Sequence, residues 1–207
     1  MRVKRHPTRA DNLRRALAQE AARLMAEHGI RDFLVAKRKA AERLGVTDGG
    51  ALLPKNSEIE EALAAHQRLF GGASHVEALT AQRRAALSAM RYLKDFEPRL
   101  VGAVLAGTAT EYSDVQLHLF AETLESVTLK LLDEGVPHEL TERRVKLNAE
   151  RIRAFPGVRF EMEDQAIEAT VFPTDGIRQA PVSPVDGRPM RRANAFEVEA
   201  LLSETLG

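Results

Sequence analysis

The chain has 207 residues, a formal net charge of zero from 30 basic and 30 acidic residues, and no Cys. This length suits one globular domain, or a compact core with an appended helical piece. The lack of Cys excludes disulfides, thiolate metal sites and cysteine nucleophiles. No apolar run approaches the roughly 18 to 20 residues that span a membrane, so we expect a soluble, cytoplasmic protein with no membrane association.

The neutral total hides an uneven distribution of charge. Residues 1–46 carry 12 basic against 5 acidic side chains, a charge of +7, and the remainder of the chain carries −7. Apolar residues at helical spacing predict two short helices here, the first capped by Asp11 and ended by Gly29. Candidate contacts to nucleic acid in this pair are Arg31, Lys37, Arg38 and Lys39. The alternative is a solvated basic face on two helices that only pack together.

Two more helices follow, so the chain is predicted to be helical up to residue 97. Ser57 and Glu60 form a capping-box pattern that opens the third helix. The Gly71-Gly72 pair interrupts the chain, and a fourth helix is predicted from about Ser74. We therefore divide the chain into a helical N-terminal region, residues 1–72, and a second domain, residues 73–207.

Beyond the fourth helix the hydrophobic pattern changes from helical spacing to alternation, which indicates strands. Leu100–Ala106 is an uncharged run that suits a buried strand ending at Gly107-Thr108. In the next predicted strand, Asp114, Gln116 and His118 alternate with aliphatic residues. We therefore expect one face of this strand to pack and the other to be available for chemistry.

The rest of the chain completes an α+β fold in which helices pack on one face of a mixed β-sheet. A helix over residues 122–134 is predicted to cover the packed face. Residues 157–163 and 166–172 are predicted to form a hairpin joined by Asp164-Gln165, with Glu168 on the open side. Basic residues in and after the segment TERRVKLN would face either a phosphate-bearing ligand or solvent at a sheet edge. A Pro-rich strap, residues 172–193, is placed to close one side of a pocket and precedes a short terminal helix. Its candidate hydrogen-bonding residues are Arg178, Gln179, Ser183, Asp186 and Arg188.

These residues resemble the nucleotidyltransferase superfamily, which includes DNA polymerase beta and the minimal nucleotidyltransferases. Its members have a strand ending in Gly-Ser or Gly-Gly, a second strand with two acids separated by one apolar residue, and a third acid on a later strand. Here Gly107-Thr108 stands at the Gly-Ser position. The segment Ser113-Asp114-Val115-Gln116-Leu117 stands at the paired-acid position, and Glu168 matches the third acid. The resemblance covers roughly residues 74–173.

The resemblance implies transfer of a nucleotidyl group from an NTP to a hydroxyl of a small molecule, protein or nucleic acid, with Mg²⁺ or Mn²⁺ as cofactor. It assigns Asp114 and Glu168 as metal ligands, and Gly107, Thr108 and Ser113 as contacts to the nucleotide. Gln116 occupies the place of the second catalytic acid and offers only a neutral amide oxygen. Either His118 or Glu111 would then supply the missing group, with His118 as a ligand, a phosphate contact or a proton carrier.

The second hypothesis is a catalytically impaired module of the same fold that binds nucleic acid or a protein partner through its basic N-terminal helices. The chain has no GxxxxGK[ST], GxGxxG, HExxH or GxSxG motif. P-loop enzymes, Rossmann oxidoreductases, zinc proteases and serine hydrolases are therefore not supported. The sequence leaves the oligomeric state, the NTP and the acceptor open.

Overall fold

The computed structural model describes residues 8–46, 52–148 and 150–206. The chain forms two compact units, Met1–Gly72 and Ala73–Gly207. The division between them falls directly after the Gly71-Gly72 pair that interrupts the sequence pattern. No helix within the described ranges has both the length and the apolar composition needed to cross a membrane.

The first unit is built from helices. These are α1 (Arg9–His28), α2 (Phe33–Arg43) and α3 (Asn56–His66), and a π-helical turn, Gln67–Gly71, follows α3. Gly29 ends α1 in the left-handed conformation, with φ of 65°, as predicted. The core of this unit consists of large apolar side chains and alanines, including Leu17, Ala21, Leu24, Ala36, Ala40, Ile59 and Leu63.

Two of the predicted helix caps lie at other residues. The Thr8 hydroxyl accepts from the Asp11 backbone N–H at 3.2 Å, and the Asp11 carboxylate accepts from the Thr8 N–H at 3.0 Å. Asp11 is therefore the third residue of a capping box, and Thr8 is the cap. At the start of α3, the Glu58 carboxylate accepts from the Lys55 backbone N–H at 2.6 Å. Ser57 lies inside the first turn of that helix, so its predicted capping role is wrong.

The second unit confirms the α+β fold class. Its elements are α4 (Gly72–Tyr92), β1 (Arg99–Val101), α5 (Gly102–Ala106), β2 (Val115–Phe120), α6 (Leu124–Asp133), β3 (His138–Lys146), β4 (Ile152–Met162), β5 (Gln165–Phe172) and α7 (Ala195–Leu206). Short 3₁₀ turns occur at Lys94–Phe96 and Thr174–Arg178. Among the described residues the strands form a five-stranded mixed sheet in the order β1-β2-β5-β4-β3. β2 and β5 are parallel, and the remaining neighbours are antiparallel.

One face of this sheet packs against helices. Alternate residues of the two parallel strands are buried there, namely Val115, Leu117, Leu119, Ile167, Ala169 and Val171. The same core contains Met90 of α4 together with Val127 and Leu131 of α6. The predicted alternation on both strands is confirmed, and so is the predicted helix that covers it. The opposite face of β2 and β5 carries polar side chains at one end and, at the other, a small apolar cluster that contains Phe120 and Phe172.

Two predicted details of this unit are wrong. The run predicted as one strand, Leu100–Ala106, is a three-residue strand followed by the short helix α5, which ends at Gly107. The change begins at Gly102, where φ is 72° and a Cβ would lie 2.6 Å from the side-chain amide of Gln116. The predicted hairpin exists, but its turn is Glu163-Asp164, one residue earlier than expected. Both turn residues have positive φ, as a type I′ hairpin turn requires.

Candidate functional site

A row of polar side chains lies on the sheet face opposite the helical core. The register of β2 and β5 pairs Gln116 with Glu168, and β4 pairs Arg159 with Glu168. Residues paired in this way project to the same face of a sheet. We use the name polar row for Asp114, Gln116, His118 and Glu168 with the arginines that contact them, Arg143, Arg159 and Arg192.

Asp114 is paired with an arginine. It lies one residue before β2, and its side chain is only 12% exposed. Arg159 Nη2, from β4, is 3.3 Å from Asp114 Oδ1. The resemblance makes the Asp114 carboxylate a metal ligand, but its negative charge is offset by the positive charge of the Arg159 guanidinium.

Glu168 and Gln116 share a second arginine. Arg143 Nη1, from β3, is 2.8 Å from Glu168 Oε2. With its amide oxygen turned toward β3, Gln116 accepts from Arg143 Nη2 at 3.2 Å and from Nη1 at 3.3 Å. The guanidinium is a planar fork with several donors, so it suits two acceptors. A neutral amide at position 116 completes this acceptor set without adding a second negative charge beside Glu168.

The polar row in this arrangement does not fit Mg²⁺. Mg²⁺ needs hard oxygen ligands in near-octahedral geometry, with carboxylates that are free to bind it. Both carboxylates of the row are paired with arginines, and the described parts of the chain contain no group of three or more His, Asp or Glu side chains that would hold a metal. Glu111, considered as a replacement acid, is exposed and hydrogen-bonded to the side chain of Tyr112.

His118 is buried, although the sequence places it on the open face. Only 4% of its surface is accessible. Arg192 Nε donates to His118 Nδ1 at 3.1 Å, and the Phe172 ring centroid lies 4.6 Å from that of His118. Burial, together with the positive charges of Arg192 and Arg143, lowers the pKa of His118 to about 3. The ring is therefore neutral at physiological pH, and it is not placed to carry protons to a solvent-exposed substrate.

Arg192 closes this end of the sheet face. Its Nη1 donates to the carbonyl oxygens of Gly176 at 3.0 Å and Ile177 at 3.3 Å, in the turn that follows β5. Its guanidinium lies over the rings of Phe120 and Phe172, 4.9 and 5.5 Å from their centroids. Its Nη2 is buried and has no hydrogen-bond partner within the described residues. Arg192 therefore holds the strap against the sheet while one of its donors remains unsatisfied.

Sequence reasoning missed Arg192. In the sequence Arg192 looks no different from the exposed Arg191 beside it. What distinguishes it appears only in the structure: the next residue, Ala193, is buried and exchanges backbone hydrogen bonds with Leu100 of β1. Burial, and secondarily the charge of Arg99, lowers the pKa of Arg192 to about 10, so the group is still cationic at neutral pH.

The predicted nucleotide-binding turn, Gly107-Thr108 and Ser113, packs within the protein. Thr108 is buried, and its N–H donates to the Ala103 carbonyl at 3.0 Å. The Ser113 carbonyl accepts from Gln82 Nε2 of α4 at 3.1 Å, and the Ser113 hydroxyl accepts from the Thr110 N–H at 3.0 Å. These polar groups are used internally, in contrast to the phosphate contacts that the resemblance implies.

The basic residues predicted to contact nucleic acid differ in exposure. Arg31, Arg38 and Lys39 are exposed, and the last two lie on α2. Lys37 is half-buried; burial lowers its pKa, against an opposing effect of the nearby Glu58 carboxylate. The contact with nucleic acid stays a prediction for this surface.

Comparisons of the chain with protein-family models, curated proteins and solved structures found no match. The assignment of function therefore rests on the chemistry of the polar row.

Proposed function

We propose that the polar row binds the phosphate groups of a nucleotide, in a nucleotidyltransferase-like module that works without a two-metal centre. The observation that carries this proposal is the convergence of Arg143, Arg159 and Arg192, from three separate segments, on the polar side chains of β2 and β5. The arginine fork matches the oxygens of a phosphate group. The row contains three guanidinium groups and two carboxylates, and the register of β3 and β4 places Glu139 opposite Arg159.

In this proposal Asp114 and Glu168 orient the arginines. Phosphate oxygens compete with these two carboxylates for the guanidinium N–H donors. The 3.3 Å contact between Arg159 and Asp114 is longer than the usual 2.7–2.9 Å of a charge-assisted bond, so it is the easier of the two to exchange. Burial is the main cause of the lowered pKa of His118, and the positive charges of Arg192 and Arg143 lower it further.

The proposal predicts nucleotide binding that does not require a divalent metal. We expect the full chain, titrated calorimetrically with each NTP, to bind in EDTA as well as in Mg²⁺, with affinity that falls as salt rises. Arg159→Gln removes one charged donor and should weaken binding by about tenfold. Arg84→Gln is the control, because Arg84 is an exposed arginine on α4, against the other face of the sheet. Binding that disappears in EDTA contradicts the proposal.

Mg²⁺-dependent nucleotidyl transfer is the second candidate function. It is favoured by the parallel register, which sets position 116 directly opposite Glu168 on the neighbouring strand. This candidate requires a metal ion to replace the arginines at Asp114 and Glu168. It is tested by incubating the protein with each labelled NTP and Mg²⁺ or Mn²⁺, with and without RNA, and measuring pyrophosphate release. Under this candidate, release depends on the metal and is abolished in Asp114→Asn.

A further inference from the structure

An open groove of about 880 Å³ lies along α1 and α3 in the helical unit. Three alanines line it: Ala18 is buried in the helical core, and Ala62 and Ala65 are half-buried, so the groove floor is small and apolar. Leu69 and Phe70 also line it, and they are 76% and 74% exposed. Two adjacent large apolar side chains with this exposure indicate a surface that binds another molecule.

The two sides of the groove carry opposite charges. Arg14, Arg15 and Arg23 line it from α1, and Glu58 and Glu61 line it from α3. Two acids also line it from α1: Asp11 is held in the capping box with Thr8, and Glu20 is paired with Arg23. The α1 side therefore keeps an excess of one positive charge, and the α3 side carries two acidic side chains.

We infer that a second copy of this chain covers the groove and that the protein is a homodimer through α1 and α3. The charge pattern is self-complementary, because a two-fold axis along the groove sets the basic side of one copy against the acidic side of the other. The same axis repeats each charge contact twice and brings Leu69 and Phe70 of one copy near those of the other. The inference concerns the helical unit alone and does not depend on the polar row.

The apolar part of this interface is tested by sedimentation of the full chain over an about hundredfold dilution series. We expect a species of twice 22.9 kDa for the natural sequence. The double variant Leu69→Ser/Phe70→Ser should sediment as a monomer. Leu129→Ser is the matched control, because this leucine is also exposed, at 58%, but lies on α6 of the second unit. A monomeric natural sequence, or a dimer that survives the double variant, overturns the inference.

Charge reversal tests the two-fold arrangement itself. Arg14→Glu/Arg15→Glu makes both sides of the groove acidic. Glu61→Arg makes the α3 side neutral, because the new arginine balances the charge of Glu58. Each protein alone should show a dissociation constant raised by about tenfold or more. Glu58 is left unchanged because its carboxylate accepts the Lys55 N–H at the start of α3.

An equimolar mixture of the two charge variants, one of them carrying an affinity tag, should form a heterodimer. In the mixture the acidic α3 side of the first variant meets the basic α1 side of Glu61→Arg. Its acidic α1 side meets the neutralised α3 side of Glu61→Arg, so the repulsion within the first variant is removed and the tagged copy retains the untagged one. Circular dichroism verifies that both variants are folded. Failure of two folded variants to pair in the mixture overturns the arrangement, as does an unchanged dimer of either variant alone.

Discussion

Lowering the pH from about 6.5 is expected to destabilise the second unit, with His118 as the principal cause. In the folded protein its pKa is lowered from the ordinary value of 6.5 to about 3. Between these values the unfolded chain takes up a proton at His118 and the folded protein does not. The free energy of unfolding therefore falls with falling pH in this window, by up to about 1.4 kcal/mol per pH unit. Above pH 6.5 the contribution of His118 is complete and constant.

Urea unfolding followed by circular dichroism between pH 7 and pH 5 measures this slope. His118→Asn keeps an acceptor for the Arg192 Nε donor but does not titrate, so its stability should depend much less on pH. Burial also lowers the pKa of His75, so His75→Asn serves as the matched comparison. We expect it to alter the pH dependence of the free energy of unfolding less than His118→Asn does. If the natural sequence and His118→Asn lose the same stability over this range, His118 is not the buried neutral group described above.

Gly157→Ala is expected to lower the free energy of unfolding by about 1–3 kcal/mol. A Cβ at this position of β4 would lie 2.5 Å from the backbone oxygen of Ala169 and 2.9 Å from Thr141 Oγ1. The Ala169 oxygen belongs to the neighbouring strand β5, so it moves only if the sheet moves. Arg159 is two residues further along β4, and the variant should therefore weaken nucleotide binding as well.

The comparison for this prediction is Ala154→Ser, at an exposed position of the same strand. A surface substitution of this kind usually changes stability by less than about 0.5 kcal/mol. Both variants are measured by urea unfolding and by NTP titration. A Gly157→Ala protein as stable as Ala154→Ser would show that the close approach of β4 and β5 is not as described.

The sequence predicted those parts of the fold that depend on local periodicity. The alternation of Val115, Leu117 and Leu119 identified the core face of β2, because successive strand residues point to opposite faces whatever surrounds them. The helix α5 was missed because a short uncharged run fits a buried strand as well as a helix. Gly102 marks the change, and its close approach to Gln116 depends on the neighbouring strand.

The candidate site was predicted only in part because its contacts are distant in sequence. Alternation placed Gln116 and Glu168 on one face, which the strand register bears out. The pairs Arg143–Glu168, Arg159–Asp114 and Arg192–His118 join residues 25, 45 and 74 positions apart. An arginine on a strand has the same local pattern whether it is solvated or paired. Alternation also shows which way His118 points but not that Arg192 and Phe172 cover it.

The most direct test of the arginine site is titration of ATP in EDTA into the Asp114→Asn protein, with the natural sequence beside it. If arginines bind the phosphates, removal of the Asp114 charge releases Arg159 from its ion pair. We then expect binding to become tighter, by about three- to tenfold. Loss of ATP binding in Asp114→Asn would contradict the account, because it would show that the carboxylate itself, and not the arginine it holds, is needed for the nucleotide.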